Sequence, residues 1–129
     1  MTGIECRLQS VALPTAASPP LPAVRKALAP LADGLPAEVE QDLMLLVTEL
    51  VANAYEHGIA PRELRVERRD GSGAIRVEVD DAAPGRPILG WSRLGVNRGR
   101  GVRIVDGLAA RWGVRQLGVG KTVWAELSY

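Results

Sequence analysis

The stretch LLVTELVANAYEHG, residues 45–58, is apolar enough to be buried, yet polar groups recur along it. Glu49, Asn53 and His57 follow one another at intervals of four residues. The apolar residues in and just before the stretch fall on one broad helical arc: Leu43, Leu46, Val47, Leu50, Val51 and Ala54. A carboxylate and an amide one turn apart on the border of that arc can hold a metal and a water in a cleft. An ordinary polar helix edge is the alternative, with His57 packing or capping the helix end.

Composition sets the class of protein. The chain has 129 residues, of which 47% are hydrophobic and 24% charged, so we predict one domain over residues 1–129. The net charge of +1 argues against a nucleic-acid or membrane surface. The single cysteine, Cys6, cannot form an internal disulfide, which favours a reducing cytoplasm. No apolar run approaches the ~20 residues that span a bilayer, and we expect no membrane segment.

Periodicity and turn residues predict the order of elements. The pattern is β-α-α-β-β-loop-α-β-β, with a long Gly- and Arg-rich loop over residues 82–100. It predicts an α/β (α+β) fold, a two-layer sandwich with helices on one face of a mixed sheet. Trp112 and Trp124 are expected in the core. The predicted strands are 4–13, 63–69, 74–81, 112–117 and 122–129, and the predicted helices are 22–32, 36–57 and 101–111.

A second candidate motif is IRVEVDDAAPGRP, residues 75–87. Val77 and Val79 point to one side of a strand, and Asp81 continues on that side if the strand extends so far. A carboxylate at the end of an apolar face is costly unless it has a partner. It could accept a hydrogen bond from an exocyclic amine in a flat apolar pocket. A turn aspartate before Pro84 is the alternative.

A third motif, RGRGVRIVDGLAARWG, covers residues 98–113. Gly99 and Gly101 precede the predicted helix that begins near residue 101. Glycines allow close backbone approach, and a helix N-terminus offers free N–H groups and positive potential to a phosphate. The motif does not follow a strand within a βαβ unit, so a Rossmann dinucleotide site is not favoured.

In this order, the three stretches resemble the ATP-binding boxes of the GHKL superfamily, whose members share the Bergerat fold. ELVANAYEHG looks like the N box, DDAAPG like the first glycine box and GRGVRIVDGLA like the second. The chain is most similar in style to small bacterial anti-sigma factor serine/threonine kinases. The resemblance runs from about residue 20 to residue 128.

The resemblance implies ATP and Mg²⁺ as cofactors and gives roles to single residues. Asn53 would ligate the Mg²⁺ that bridges the triphosphate. Glu49 would orient or deprotonate the attacking hydroxyl or a water, and Asp81 would accept a hydrogen bond from the adenine amino group. The other nucleotide contacts would come from Ala83, Gly85, Arg98, Gly99, Arg100, Gly101, Val102 and Thr122.

The resemblance also implies partners: a sigma factor, an anti-anti-sigma antagonist that is phosphorylated on Ser or Thr, and a second copy in a homodimer. Two departures leave an alternative open. Ala83 stands where the family's first glycine box has glycine, which reduces backbone freedom, and the lid between the boxes is short. The alternative is a non-catalytic regulator that only binds ATP. An α/β interaction domain without nucleotide is the third reading. A histidine-kinase sensor is not favoured, since we find no phosphoacceptor helix domain or membrane segment.

Overall fold

The computed structural model describes residues 6–83 and 105–129. Within them the chain forms five strands and two long helices, close to the predicted bounds. The elements are β1 (Cys6–Leu13), α1 (Leu21–Ala32), α2 (Ala37–His57), β2 (Arg62–Arg69), β3 (Ala74–Asp81), β4 (Arg111–Gln116) and β5 (Lys121–Ser128). Residues 105–108 are also helical. The third predicted helix therefore ends earlier than residue 111, because β4 already begins at Arg111.

The strands form one sheet in the order β1-β2-β3-β5-β4, and each pairing between described strands is antiparallel. The expectation of a mixed sheet is therefore corrected to an antiparallel one. The reason is that the two helices return the chain to the end of the sheet that it left. Leu13, the last residue of β1, pairs with Arg62, the first residue of β2. The hairpins β2-β3 and β4-β5 are antiparallel by their connections.

Both helices pack on one face of the sheet, which confirms the two-layer α/β architecture. Side chains of the strands alternate between this face and an open one. In β3 the residues on the helix side are Ile75, Val77, Val79 and Asp81, and all are buried. The predicted arc of α2 is its buried face, formed by Leu43, Leu46, Val47, Leu50, Val51 and Ala54. No helix in the described ranges is long and apolar enough to cross a membrane.

The open face of the sheet carries a network of ion pairs. Arg76 contacts Glu78 at 2.7 Å and Glu126 at 2.8 Å. Its guanidinium lies 4.3 Å from the centre of the Trp124 ring. Trp124 is therefore on the open face, and its prediction as a core residue was wrong. Trp112 lies on the helix side and packs against the core, as predicted.

Two buried or half-buried arginines fix the C-terminal ends of the helices to the sheet. Arg68 of β2 donates to the carbonyls of Leu31 and Asp33, at 2.8 and 2.7 Å. Arg62 donates to the carbonyls of Ala54 and Gly58, at 2.8 and 3.1 Å. The last carbonyls of a helix lack some of their intrahelical donors, and each arginine supplies donors to carbonyls at a helix end. The end of α2 is thereby held in place beside β3.

Candidate functional site

The C-terminal end of α2 meets the end of β3 in close contact at Gly58. A β-carbon added to Gly58 would lie 2.6 Å from Cγ of Asp81 and 2.5 Å from the Ala54 carbonyl oxygen. The next residue also joins the two elements, because the Ala82 N–H donates to the Ile59 carbonyl at 2.7 Å. The contact therefore requires glycine and fixes Asp81 against the helix end.

Asp81 is buried, as the alternation along β3 predicted, and it has a charged partner. Lys121 places its Nζ 3.0 Å from Oδ2 and 3.1 Å from Oδ1 of Asp81. The two side chains are 4% and 2% exposed, respectively. Oδ1 also accepts a hydrogen bond of 2.7 Å from the backbone N–H of Ala83. A buried charge is retained only when it is paired and hydrogen-bonded, and this carboxylate is both.

The sequence analysis predicted Thr122 as a nucleotide contact and did not name Lys121. Lys121 pairs with Asp81 across β5 and β3, so the two side chains share the helix side of the sheet. Thr122 points to the open face, where its hydroxyl donates to Asp80 at 2.6 Å. Lys121 is therefore the residue of β5 beside Asp81 on the helix side, and the nucleotide contact of Thr122 stays a prediction. One sequence pattern could have indicated Lys121: it is a lysine at the start of an apolar strand, directly after the turn GVG.

His57 ends α2 next to this ion pair. Its Nε2 atom is buried and has no hydrogen-bond partner in the part of the chain that the structure describes. Desolvation, and to a smaller extent the positive charge of Lys121, lowers the pKa of His57 below its usual value of 6.5. The ring is therefore neutral at neutral pH and offers one donor and one acceptor nitrogen.

Glu49 and Asn53 lie further back along α2, and both are half-buried. The Asn53 amide has no hydrogen bond to another described residue. With a rise of about 1.5 Å per residue, Asn53 is roughly 7 Å and Glu49 roughly 13 Å from Gly58 along the helix axis. Asp81, Asn53 and Glu49 thus follow one another in that order from the end of the helix towards its middle. The remaining predicted contacts lie outside the described residues: Gly85, Arg98, Gly99, Arg100, Gly101 and Val102.

A family model described as the histidine kinase-like ATPase domain matches residues 14–127. The chain belongs to this family. The match includes α1, α2 and all of β2 to β4, so the ATPase domain accounts for nearly the whole described fold. The GHKL superfamily that the motifs indicated is thereby confirmed, whereas the narrower resemblance to anti-sigma factor kinases stays a prediction.

Solved structures give the same assignment. The histidine kinase domain of a blue-light activated histidine kinase from Erythrobacter litoralis is similar, with 25% identity and a TM-score of 0.57. The match covers 84% of this chain and 58% of that domain. A structure of that blue-light activated histidine kinase matches with 30% identity and a TM-score of 0.56, over 72% of this chain and 31% of the other. No curated protein matches the chain.

The described residues fit a nucleotide and its metal. Beside the buried Asp81, the Nε2 atom of His57 is buried without a partner among the described residues, so a polar ligand atom could satisfy it. Asn53 offers a carbonyl oxygen, a hard ligand of the kind that Mg²⁺ accepts together with phosphate oxygens. Asp81 would hold the base and Asn53 the metal, which supplies charge neutralisation to the phosphates.

Gly58→Ala is expected to disturb Asp81 directly. The added methyl group cannot be accommodated unless the helix end or the tethered carboxylate moves. Overpacking of this kind costs about 1–3 kcal/mol of stability, which thermal or denaturant unfolding measures. Gly118→Ala is the matched control, because an added β-carbon there meets nothing within 4 Å. Equal stabilities of the two variants would contradict the close packing of Gly58 on Asp81.

Proposed function

We propose that this ATPase domain binds ATP and Mg²⁺ and transfers the γ-phosphoryl group to a Ser or Thr of an antagonist protein, while its own binding target is a sigma factor. The observation that carries the nucleotide site is the buried Asp81 at the end of β3, held against Gly58 of the N-box helix. The Glu49–Asn53 pair on the same helix supports the kinase chemistry. The resemblance of the sequence to small bacterial anti-sigma factor kinases supports the choice of partners.

In this proposal each residue has one task. Asp81 orients the adenine through its amino group, and Asn53 holds the metal that neutralises the phosphates. The hydroxyl oxygen of the substrate forms a bond to the γ-phosphorus while the bond to the β–γ bridging oxygen breaks, and ADP leaves. Glu49 accepts the proton of the hydroxyl. Phosphoryl transfer needs mainly positioning and charge stabilisation, so few protein groups suffice.

A second function is favoured by one departure from the family. Ala83 replaces a family glycine, which reduces the freedom of the backbone two residues after Asp81. A restricted backbone at this place favours a regulator that binds ATP without transferring its phosphate. The competing reading is therefore a non-catalytic ATP-binding interaction module of the same fold.

Phosphate transfer distinguishes the two functions. The purified chain is incubated with γ-³²P-labelled ATP, Mg²⁺ and candidate antagonist proteins, and the label is followed on gels. If the protein is a kinase for Ser or Thr, label should appear on an antagonist, and this label should be stable to acid, as phosphoserine and phosphothreonine are. Acid-labile label would instead indicate transfer to histidine. ATP binding without transfer to the antagonist with which the chain forms a complex would favour the non-catalytic module.

The metal ligand can be tested separately with Asn53→Ala. Removing the amide oxygen is expected to weaken binding of ATP with Mg²⁺ while leaving binding of metal-free ATP nearly unchanged. Calorimetric titrations with Mg²⁺ and with EDTA measure both affinities. Asn53→Asp is a useful companion, because it keeps an oxygen ligand at the same place. If the metal dependence of Asn53→Ala equals that of the unmodified chain, Asn53 is a helix-edge amide and not a ligand.

A further inference from the structure

The buried ammonium group of Lys121 has one N–H that its ion pair with Asp81 does not engage. Its ammonium group carries three protons, and Asp81 is its one acceptor among the described residues. The two carboxylate oxygens engage at most two of these protons. The side chain is only 4% exposed, so water does not freely reach it. The ammonium group is thus satisfied by Asp81 and still has one N–H that an acceptor from outside the described residues can engage.

A polar group near this ion pair lacks a partner. His57 Nε2 is buried and unpaired among the described residues, and its ring is near enough to Lys121 to respond to its charge. Unpaired buried polar atoms are rare in folded proteins. Here one such atom lies where the end of α2 meets β3 and β5. Asp81, Lys121 and His57 thus offer both hydrogen-bond donors and acceptors to a ligand that carries both along one edge.

We propose that Lys121 determines base specificity together with Asp81. The inference deepens the proposed ATP binding and depends on it. Asp81 accepts from the exocyclic amine of adenine, and Lys121 donates to the adjacent ring nitrogen, N1. A carboxylate beside an ammonium thus presents an acceptor and a donor side by side. Adenine carries the complementary pair on one edge, since its 6-amino group adjoins the unprotonated N1.

The place of Lys121 in the sheet supports this role over phosphate binding. Lys121 is the register partner of Asp81, the residue at the base end of the site. Asn53 and Glu49, the helix positions assigned to the metal and the reacting phosphate, lie roughly 7 and 13 Å along α2 from Gly58, the residue that contacts Asp81. A lysine that contacts the phosphates would have to leave its buried ion pair. If Lys121 binds the base, it keeps its ion pair with Asp81 and donates its remaining N–H to the adenine ring.

Nucleotide analogues test the proposal on the unmodified protein, so folding of a variant is not at issue. Calorimetry compares ATP with 1-deaza-ATP, which keeps the amine and lacks N1. We expect the 1-deaza analogue to bind about tenfold more weakly, the effect of leaving one buried donor unpaired. The matched control is 7-deaza-ATP, whose amine and N1 are intact, and it is expected to bind as ATP does. Equal affinity for ATP and 1-deaza-ATP would overturn the role of Lys121.

A double variant then assigns the effect to the pair of Lys121 and Asp81. Lys121→Met combined with Asp81→Asn removes both buried charges together, so that neither is left unpaired. The double variant should bind ATP and 1-deaza-ATP equally, whereas Lys26→Met, which changes the exposed lysine of α1, should keep the tenfold difference. If the double variant still disfavours 1-deaza-ATP, another group reads N1 and the inference fails. If the unmodified chain binds no ATP at all, the proposed function fails first, and the two failures are distinct.

Discussion

Glu49→Gln is expected to slow phosphotransfer by roughly 10²–10⁴-fold while ATP affinity stays unchanged or rises slightly. Glutamine keeps the shape of the side chain and cannot accept the proton of the attacking hydroxyl. The carboxylate contributes little to holding ATP, because its negative charge opposes the triphosphate. The measurement is the initial rate of label transfer from γ-³²P-labelled ATP to the antagonist, with affinity determined in parallel.

A matched carboxylate on the same helix provides the control for Glu49. Glu40 lies exposed in the first turn of α2, away from the line that leads to Gly58. Glu40→Gln should transfer phosphate at the unmodified rate. Equal rates for both variants would remove Glu49 from the chemistry. A loss of ATP binding in Glu49→Gln would instead make it a binding residue.

Asp81→Ala is expected to lower both the stability of the fold and the affinity for ATP. Removing one member of a buried ion pair leaves Lys121 as an uncompensated charge, which costs about 3–5 kcal/mol of unfolding free energy. Loss of the acceptor for the adenine amine should weaken ATP binding about tenfold or more. Denaturant unfolding measures the first effect and calorimetry the second.

The neighbouring carboxylate separates these effects from a general loss of charge on β3. Asp80 lies on the open face, where it pairs with Arg65 at 2.8 Å and is 28% exposed. Asp80→Ala should cost less stability than Asp81→Ala, because Arg65 retains Glu63 and Glu78 and, among the described residues, only the Thr122 hydroxyl loses its acceptor. It should leave ATP affinity unchanged. GTP provides a further comparison, since a carbonyl would face Asp81 where adenine has an amine. Equal affinity for ATP and GTP, unaltered by Asp81→Asn, would contradict adenine recognition by Asp81.

Much of the fold follows from local patterns in the sequence. The helical arc of α2 and the alternation of β3 arise from neighbouring residues, so they predicted the buried faces and the inward position of Asp81. The direction of the strands does not arise locally. It depends on how two helices return the chain to Arg62 beside Leu13, which a sequence pattern does not specify. The sheet was therefore predicted as mixed and proved antiparallel.

The part of the site contributed by β5 could not be predicted, because it depends on strand register. A shift of one residue moves every side chain of a strand to the opposite face. The observed register places Lys121 beside Asp81 and puts Thr122 and Trp124 on the open face. The family resemblance named Thr122 by its motif position, while the partner of Asp81 became apparent only from the pairing of β3 with β5.

The central claim is that ATP binds where the end of α2 meets β3 and β5, and amide NMR shifts test it most directly. A ¹H–¹⁵N titration of the chain with ATP and Mg²⁺ should shift the amides of Asn53, Gly58, Ala83 and Lys121. The indole N–H of Trp124, on the open face, should remain in place. Shifts confined to the open face, or none at saturating ATP, would contradict the account.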